Sequence, residues 1–245
     1  MGLLTQITER QADILNKIVK EYIELVHPVS SQSIERKFHL GISPATIRIE
    51  MQKLTDEGYL CQPHTSAGRV PTDKGYRFLV DKFFKEGSSD FSDFGKKFFD
   101  ELEGIEKEMK DSFGFIQQVT KRVAEISSAL AVSYLAGDRF IFKEGFAEVS
   151  HEPEFRNSSY FSNFIQMIEE WEENFEDFEL FSDVEVYIGK ENPLRKAKDF
   201  SAIISACSFP EEKTGFIAIF GPTRMPYEKN IGLLKSLSEY LKDSL

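Results

Sequence analysis

The chain of 245 residues has few of the residues that build disulfides and metal sites. It contains two cysteines, four histidines and one tryptophan. Cys61 and Cys207 both lie in apolar, strand-like runs, which indicates reduced core thiols rather than a disulfide or a metal site. The histidines are scattered without the spacing of metal ligands. We therefore expect no metal and no other cofactor.

Long apolar runs and catalytic motifs are also missing. No run of 18 apolar residues occurs, and the first residues lack a signal-peptide pattern, so we expect a cytoplasmic protein with no membrane partner. We find no Gly-rich phosphate loop, no nucleophile elbow and no paired carboxylates on a recognisable scaffold. The sequence therefore predicts that the chain is not an enzyme.

Positive charge is scarce overall but is unevenly distributed. The net charge is −11, yet residues 1–82 hold 11 Lys and Arg against 10 Asp and Glu, whereas residues 83–245 hold 19 against 31. The acidity therefore belongs to the C-terminal part. A near-neutral N-terminal part can still bind nucleic acid through a local basic surface, while the acidic part should be repelled by it.

Residues 43–77 have the pattern of a helix, a short polar hairpin and a second helix. Ser43 can cap the first helix with Pro44 at its first position, and Gly58 can end it. Ile47, Met51 and Leu54 recur at helical spacing and should form its buried side. This order of elements is typical of the winged helix-turn-helix, in which the helix before the hairpin reads DNA.

The first turns of this helix would face the bases and phosphates of duplex DNA. Arg48 can bind a guanine or a phosphate, and Thr46 can bond a phosphate or a base. Taken alone, Arg48 is equally well explained as an ordinary solvated arginine. Within this frame, we expect DNA contacts from Ser43, Ala45, Thr46, Arg48, Ile49 and Gln52.

The hairpin that follows is too polar for a core and suits a wing. Tyr59–Cys61 reads as a short apolar strand, and Gly68 allows a tight turn. Arg69 would then reach a phosphate or the minor groove. Taken alone, Arg69 is equally well explained as an ordinary solvated arginine. We expect wing contacts from His64, Thr65, Ser66 and Arg69.

Upstream residues complete a three-helix core. Thr8 and Gln11 form a capping-box pattern at the start of a first amphipathic helix. Either Ser30 or Ser31 can cap a short second helix, and Gly41 lies in the turn before the third. We expect a winged helix-turn-helix domain over residues 1–84.

Residues 85–95 are polar and contain Gly and Ser, so we expect a linker there. Apolar residues then recur at three or four positions from 98 to 130, which predicts one long helix. This helix either packs on its own domain or forms a dimer seam, because its length exceeds what a small domain usually needs. The seam would include Leu102, Ile105, Met109, Phe113 and Ile116.

The remaining sequence alternates strand and helix, which indicates a small antiparallel sheet flanked by helices in a domain over residues 96–245. We expect strands at 139–146, 184–188, 202–208 and 215–220, and helices at 155–175 and 226–245. Arg224, in the turn before the last helix, either binds an anion or ties that turn to the sheet. The fold class is therefore α+β.

The sequence resembles the HrcA family, the heat-inducible transcription repressors of bacterial chaperone operons. The resemblance is carried by five strings: HPVSSQSI (27–34), SPATIR (43–48), PHTSAGRVPTDKGYR (63–77), VYIGKEN (186–192) and GFIAIFGPTRMPYEKNI (215–231). It implies a homodimer with a winged helix-turn-helix, a GAF-like domain and an inserted dimerising domain. Such a dimer binds an inverted repeat called CIRCE in double-stranded DNA. It also implies the chaperonin GroEL as a partner.

The chain departs from the family in three ways. The smallest is Pro226, which stands where members usually have Asp before Tyr227. Ile49 stands where members usually have Asn, which puts the family's operator sequence in doubt; Ile49 either touches a thymine methyl or belongs to the core. In addition, the chain has few residues between SSALAVSYL (127–135), which resembles the family's central helix, and the strings at 186–192 and 215–231. The inserted domain and part of the GAF-like sheet should therefore be absent or reduced.

Two functions remain. The first is a sequence-specific repressor of heat-shock and chaperone genes that binds a CIRCE-like operator as a dimer. The alternative is a winged-helix regulator whose GAF-like domain senses a small molecule.

Overall fold

The computed structural model describes residues 7–86, 91–109, 111–137, 139–178, 182–211 and 213–243. The chain divides into two compact units, Met1–Glu86 and Gly87–Leu245. Each unit is described by itself.

The N-terminal unit contains four helices and two short strands. In chain order these are α1 (Glu9–Leu25), α2 (Ser31–Phe38), α3 (Pro44–Asp56), β1 (Leu60–Cys61), β2 (Val70–Pro71) and α4 (Asp73–Glu86). The Thr8–Gln11 capping box at α1 is confirmed, as are Ser30 as the cap of α2 and Ser43 with Pro44 at the start of α3. The local side-chain chemistry therefore sets where these helices begin.

The first three helices pack around an apolar centre. Its fully buried residues include Ile14, Ile18, Ile34, Ile47 and Leu54. After α3 the chain turns at Gly58, whose φ of +79° lies in the left-handed region that favours glycine. β1 and β2 then pair antiparallel, with Leu60 opposite Pro71. The loop 62–69 between them is the hairpin loop of this unit.

The C-terminal unit contains five longer strands and five helices, besides short 3-10 turns. In chain order these are α5 (Phe91–Glu108), α6 (Ser112–Ser127), β3 (Leu130–Leu135), β4 (Phe140–Glu144), α7 (Phe146–Ser150), α8 (Ser158–Asn174), β5 (Val184–Ile188), β6 (Phe200–Phe209), β7 (Lys213–Pro222) and α9 (Tyr227–Asp243).

The strands form one antiparallel sheet in the order β4-β3-β7-β6-β5, with helices on both faces. Alternate strand residues such as Tyr134 and Phe220 join Trp171 of α8 in one apolar cluster. The intervening residues face the other way: Ser133 bonds Thr120 of α6 at 2.6 Å, and Ser201 bonds Tyr227 of α9 at 2.7 Å. The predicted antiparallel α+β class is confirmed.

The prediction of one long helix from 98 to 130 is wrong. Helix α5 ends at Glu108, and Asp111 caps a new helix by accepting a hydrogen bond from the Gly114 amide at 2.8 Å. Helix α6 in turn ends at Ser128, whose φ is +54°, and residues 130–135 of the string SSALAVSYL form strand β3 instead of continuing a helix. The β-branched and aromatic residues Val132 and Tyr134 suit a buried strand.

Two smaller expectations also differ from the structure. Of the predicted linker 85–95, residues 85–86 end α4 and residues 91–95 begin α5, while 87–90 lie outside the described residues. Cys207 is buried as expected, but Cys61 is exposed, so only one of the two free thiols belongs to the core.

Among the described residues, no helix is both long enough and apolar enough to cross a membrane.

Candidate nucleic-acid interface

The outward side of α3 carries four of the six residues that the sequence predicts for DNA contact from this helix. Ala45, Arg48, Ile49 and Gln52 are all exposed. At 3.6 residues per turn they fall on one face of the helix. Ile49 is 58% exposed, which excludes the alternative that it belongs to the core.

Ser43 and Thr46 serve the start of α3. The Ser43 Oγ accepts a hydrogen bond from the Thr46 amide at 3.2 Å and shares another with the Thr46 Oγ1 at 3.1 Å. Their hydroxyls are therefore held at the helix end, where a neighbouring phosphate would meet them.

The hairpin loop presents its middle residues to solvent. His64, Thr65 and Ser66 are exposed, and the Ala67 amide donates to the His64 carbonyl at 2.8 Å to close a turn. The Gln62 Nε2 holds this turn from inside, donating to the carbonyls of Thr65 at 3.0 Å and Ala67 at 2.9 Å. The structure thus brings the three predicted wing residues together at the loop tip.

Arg69 does not lie at the tip, and its contact with a phosphate or the minor groove stays a prediction. The residue is only 9% exposed. Its Nε donates to the Thr55 Oγ1 at 2.9 Å, and its Nη2 donates to the Gln52 Oε1 at 2.8 Å. The guanidinium therefore fastens the hairpin loop to α3. Residue type and position alone could not reveal this role, because Thr55 and Gln52 are more than ten residues away in sequence.

The backbone of Arg69 also joins the hairpin loop to the segment before α2. Its amide and carbonyl exchange two hydrogen bonds with Val29, each of 2.8 Å. Val29 directly precedes Ser30, the cap of α2. The start of α2, the base of the hairpin loop and α3 are therefore joined through one arginine.

The side-chain amide of Gln52 also makes two hydrogen bonds. Its Oε1 accepts from Arg69, and its Nε2 donates to the Asp56 Oδ1 at 2.8 Å. Each end of its amide makes one of the two hydrogen bonds that it can make, so a DNA contact by Gln52 need not displace either bond. Arg48 and Ile49 are better placed for a first contact.

An open groove of about 350 Å³ lies between these elements. It is bounded by the start of α2, by Arg48 and Met51 of α3, and by the hairpin loop. In this described part of the chain its lining contains two arginines and no aspartate or glutamate. In a chain whose net charge is −11, a groove free of acidic side chains is suited to an anionic ligand.

The predicted seam residues lie in the C-terminal unit and differ in burial. Leu102 and Ile116 are fully buried within the chain itself, as expected for helices that pack on their own domain. Ile105, Met109 and Phe113 are only half-buried. A seam that uses these three residues stays a prediction.

Phe113 belongs to an aromatic surface at the sheet edge. Its ring lies 4.8 Å from that of Phe140, which is 51% exposed, and 6.3 Å from that of Phe142. Both partners lie on β4, the edge strand of the sheet. Lys213 covers the Phe113 ring, with its Nζ 3.9 Å from the ring centre.

Arg224 has a structural role. Its Nε and Nη2 donate to the two carboxylate oxygens of Glu154 at 2.8 and 2.9 Å, and its Nη2 also donates to Glu152. Burial alone would lower the arginine's pKa, but these hydrogen bonds outweigh burial and raise it. The anion-binding alternative is therefore disfavoured, and Arg224 ties the turn before α9 to the segment that precedes α8.

Comparison with known proteins gives a consistent result for both units. Residues 88–231, most of the C-terminal unit, match the family model described as the HrcA protein C terminal domain. A "Heat-inducible transcription repressor HrcA" of Brevibacillus brevis is 26% identical, with 98% of each chain covered. A protein of the same description from Desulfitobacterium hafniense is 43% identical over 128 residues, which are 52% of this chain and 32% of that one.

These matches place the chain among heat-inducible transcription repressors and not among enzymes. The chain belongs to the HrcA family. Its alignment with the Brevibacillus protein runs over 334 residues, whereas the chain has 245. Since 98% of both proteins is covered, the sequence that this chain lacks is internal, in agreement with the predicted shortening.

One solved structure supports the fold. The protein described as "Crystal structure of a hypothetical protein at 2.2 A resolution" matches 99% of this chain with a TM-score of 0.71 at 20% sequence identity. At that identity the match shows a shared fold only.

Proposed function

We propose that the N-terminal unit is a winged helix-turn-helix that binds duplex DNA. In this proposal α3 enters the major groove and the hairpin loop is the wing, which lies against the sugar-phosphate backbone. The observation that carries the proposal is the groove lined by two arginines and no acidic residue, next to the outward face of α3. The chain would then read bases with α3 and fix its position through phosphates.

The proposal includes a two-fold symmetric target. One winged helix covers a half-site, so an inverted repeat of the CIRCE type requires two copies of the chain. The half-buried Ile105, Met109 and Phe113 are the proposed seam, and the exposed Phe140 extends it. Light scattering over a range of protein concentrations tests the dimer directly.

The proposed targets are heat-shock and chaperone genes, because the curated relatives are described as heat-inducible transcription repressors. Control by the chaperonin GroEL belongs to the same proposal, and so does a reduced GAF-like character of the C-terminal unit. A ligand-sensing role of that unit stays a prediction.

Arg48→Ala tests DNA binding. DNA duplexes are first selected from a randomised pool with the full-length protein, and affinities are then measured at one salt concentration. We expect Arg48→Ala to weaken specific binding by ~1–3 kcal/mol, because it removes a base or phosphate contact. Its fold should be unchanged, since the side chain is exposed.

Arg139→Ala is the matched control, because Arg139 is an exposed arginine of the acidic C-terminal unit, with 75% of its side chain accessible. It should leave DNA affinity unchanged. Equal affinity of the wild-type protein and Arg48→Ala would contradict the assignment of α3 as the reading helix.

A further inference from the structure

Ile49 is an exposed apolar residue in the middle of the proposed reading face. Among the described residues, the large hydrophobic side chains with the greatest exposure are Leu25, Ile49, Phe84, Phe140 and Phe146. Of these, only Ile49 lies on the outward side of α3. Its side chain leaves apolar area on this face that a ligand could remove from water, and that burial would favour binding.

The neighbours of Ile49 divide the reading face into two edges. Ala45, one turn earlier and also exposed, lies beside Ile49 and gives one edge of α3 an apolar character. Arg48 and Gln52 form the other, polar edge. Gln52 is tied to Arg69 and Asp56, so the apolar edge keeps the same flank before and after a ligand arrives.

The chemistry of the major groove offers this apolar edge one partner. Each base pair presents hydrogen-bond donors and acceptors there, and thymine alone among the four bases adds a C5-methyl group. Ile49 can neither donate nor accept a hydrogen bond, so it cannot read the polar groups. A methyl group placed against Ile49 and Ala45 would be removed from water together with both side chains.

We propose that Ile49, supported by Ala45, determines sequence specificity by contacting the C5-methyl group of a thymine in each half-site. This inference rests on the proposed DNA-binding function and adds the base feature that one edge of α3 recognises. It predicts a preference for thymine at the position that Ile49 faces.

The test removes the methyl group and nothing else. DNA selected from a randomised pool with the full-length protein is resynthesised with deoxyuridine in place of each thymine in turn, which preserves every hydrogen-bonding group. At the contacted thymine we expect affinity to fall about fourfold, the value for exposing one buried methyl. Ile49→Ala should show no loss at that position, and its affinity for the thymine and uracil duplexes should be equal.

Two further variants sharpen the result. Ile49→Asn should select adenine at the position where the wild-type protein selects thymine, because an asparagine can pair with both major-groove atoms of adenine. Leu25→Ala removes a comparably exposed apolar side chain, but from α1, and should keep the full response to deoxyuridine. Circular dichroism of each variant checks that it is folded.

The outcomes separate the inference from the proposed function. If no DNA is enriched by the wild-type protein, the DNA-binding function itself is wrong. If DNA is enriched but no thymine methyl matters, or if Ile49→Ala retains the same fourfold loss, the inference is overturned and the DNA-binding function stands. If Ile49→Ala changes the molecular mass in solution while the response to deoxyuridine persists, Ile49 belongs to a protein interface and the inference is again overturned.

Discussion

The two units of this chain differ in net charge and in architecture. The N-terminal unit is nearly neutral and is built mainly from helices, and the outward face of α3 carries polar, basic and single apolar groups that suit recognition. The C-terminal unit is strongly acidic and encloses a sheet between helices, with Trp171, Phe164 and Phe200 among its fully buried side chains. The chain thus concentrates its negative charge in the unit that the proposal does not use for reading DNA.

Among the described residues both units contain buried polar atoms without a hydrogen-bond partner, but only in the C-terminal unit does this leave a whole side-chain amide unpaired. In the N-terminal unit the buried Arg69 bonds Thr55 and Gln52 with good geometry. In the C-terminal unit Asn230 is fully buried, and neither end of its amide has a hydrogen-bond partner among the described residues. Such a group destabilises the folded state. Together with the self-repulsion of an acidic unit, it leads us to expect that the C-terminal unit opens first on heating.

The largest effect should come from Arg224→Ala. The change leaves Glu152 and Glu154 without a counter-charge, and because both carboxylates are partly exposed we expect a loss of about 2–3 kcal/mol in the free energy of unfolding. The variant should increase the difference in stability between the two units, since only the C-terminal unit is weakened.

Thiol labelling during heating measures the temperature at which the C-terminal unit opens. Burial raises the pKa of the Cys207 thiol to about 12, so Cys207 stays protonated and unreactive until its unit opens, while the exposed Cys61 is accessible throughout. With Arg224→Ala, Cys207 should react at a lower temperature than in the wild-type protein. Arg139→Ala, which removes an exposed ion pair with Glu176, is the control and should shift stability by less than about 1 kcal/mol. Equal shifts in the two variants would contradict the role given to Arg224.

A pair of buried asparagines should give effects of opposite sign. Asn230→Leu removes an amide without partners and should stabilise the C-terminal unit by about 1–2 kcal/mol. Asn192 is equally inaccessible, but its Nδ2 donates to the carbonyls of Gly189 and Phe200, each at 2.9 Å. Asn192→Leu should therefore destabilise the unit by about 1–2 kcal/mol. Urea unfolding of the full chain measures both, and a change of the same sign in the two variants would refute the comparison.

A smaller effect on stability should come from Arg69→Ala in the N-terminal unit. It removes two hydrogen bonds between the hairpin loop and α3, and we expect a loss of about 1 kcal/mol. DNA binding should weaken for all sequences alike, because the loop and helix lose their common support. Arg48→Ala should do the reverse, with stability within about 0.5 kcal/mol of the wild-type protein and a loss confined to preferred sequences. If Arg69→Ala alters sequence preference but not stability, Arg69 contacts bases instead.

Local rules predicted the beginnings of helices well. The caps at Thr8, Ser30 and Ser43 depend on side chains within three residues of the backbone they bond, so they can be read from short strings. The buried face of α3 was also predictable, because Ile47 and Leu54 recur at helical spacing.

The misses share a different cause. Apolar residues from 98 to 130 kept a helical period, but the break at Asp111 and the strand from Leu130 are decided by a cap and by pairing with β7, more than eighty residues later. The role of Arg69 likewise depends on partners brought close only by folding. Exposure of Ile49 also follows from spacing, because at 3.6 residues per turn it lies on the side of α3 opposite Ile47, Met51 and Leu54.

The contact between residue 68 and the start of α2 fixes how much of the hairpin loop can adjust to a ligand. A Cβ on Gly68 would lie 2.3 Å from the Val29 carbonyl oxygen, so backbone meets backbone there with no side chain between. With Val29 and Arg69 also bonded, the base of the loop is set before any ligand arrives, and any adjustment falls to the exposed residues 63–66 at the tip. Preorganisation of this kind lowers the entropy lost on binding. It also means that insertions or deletions in the loop would be tolerated at the tip and not at its base.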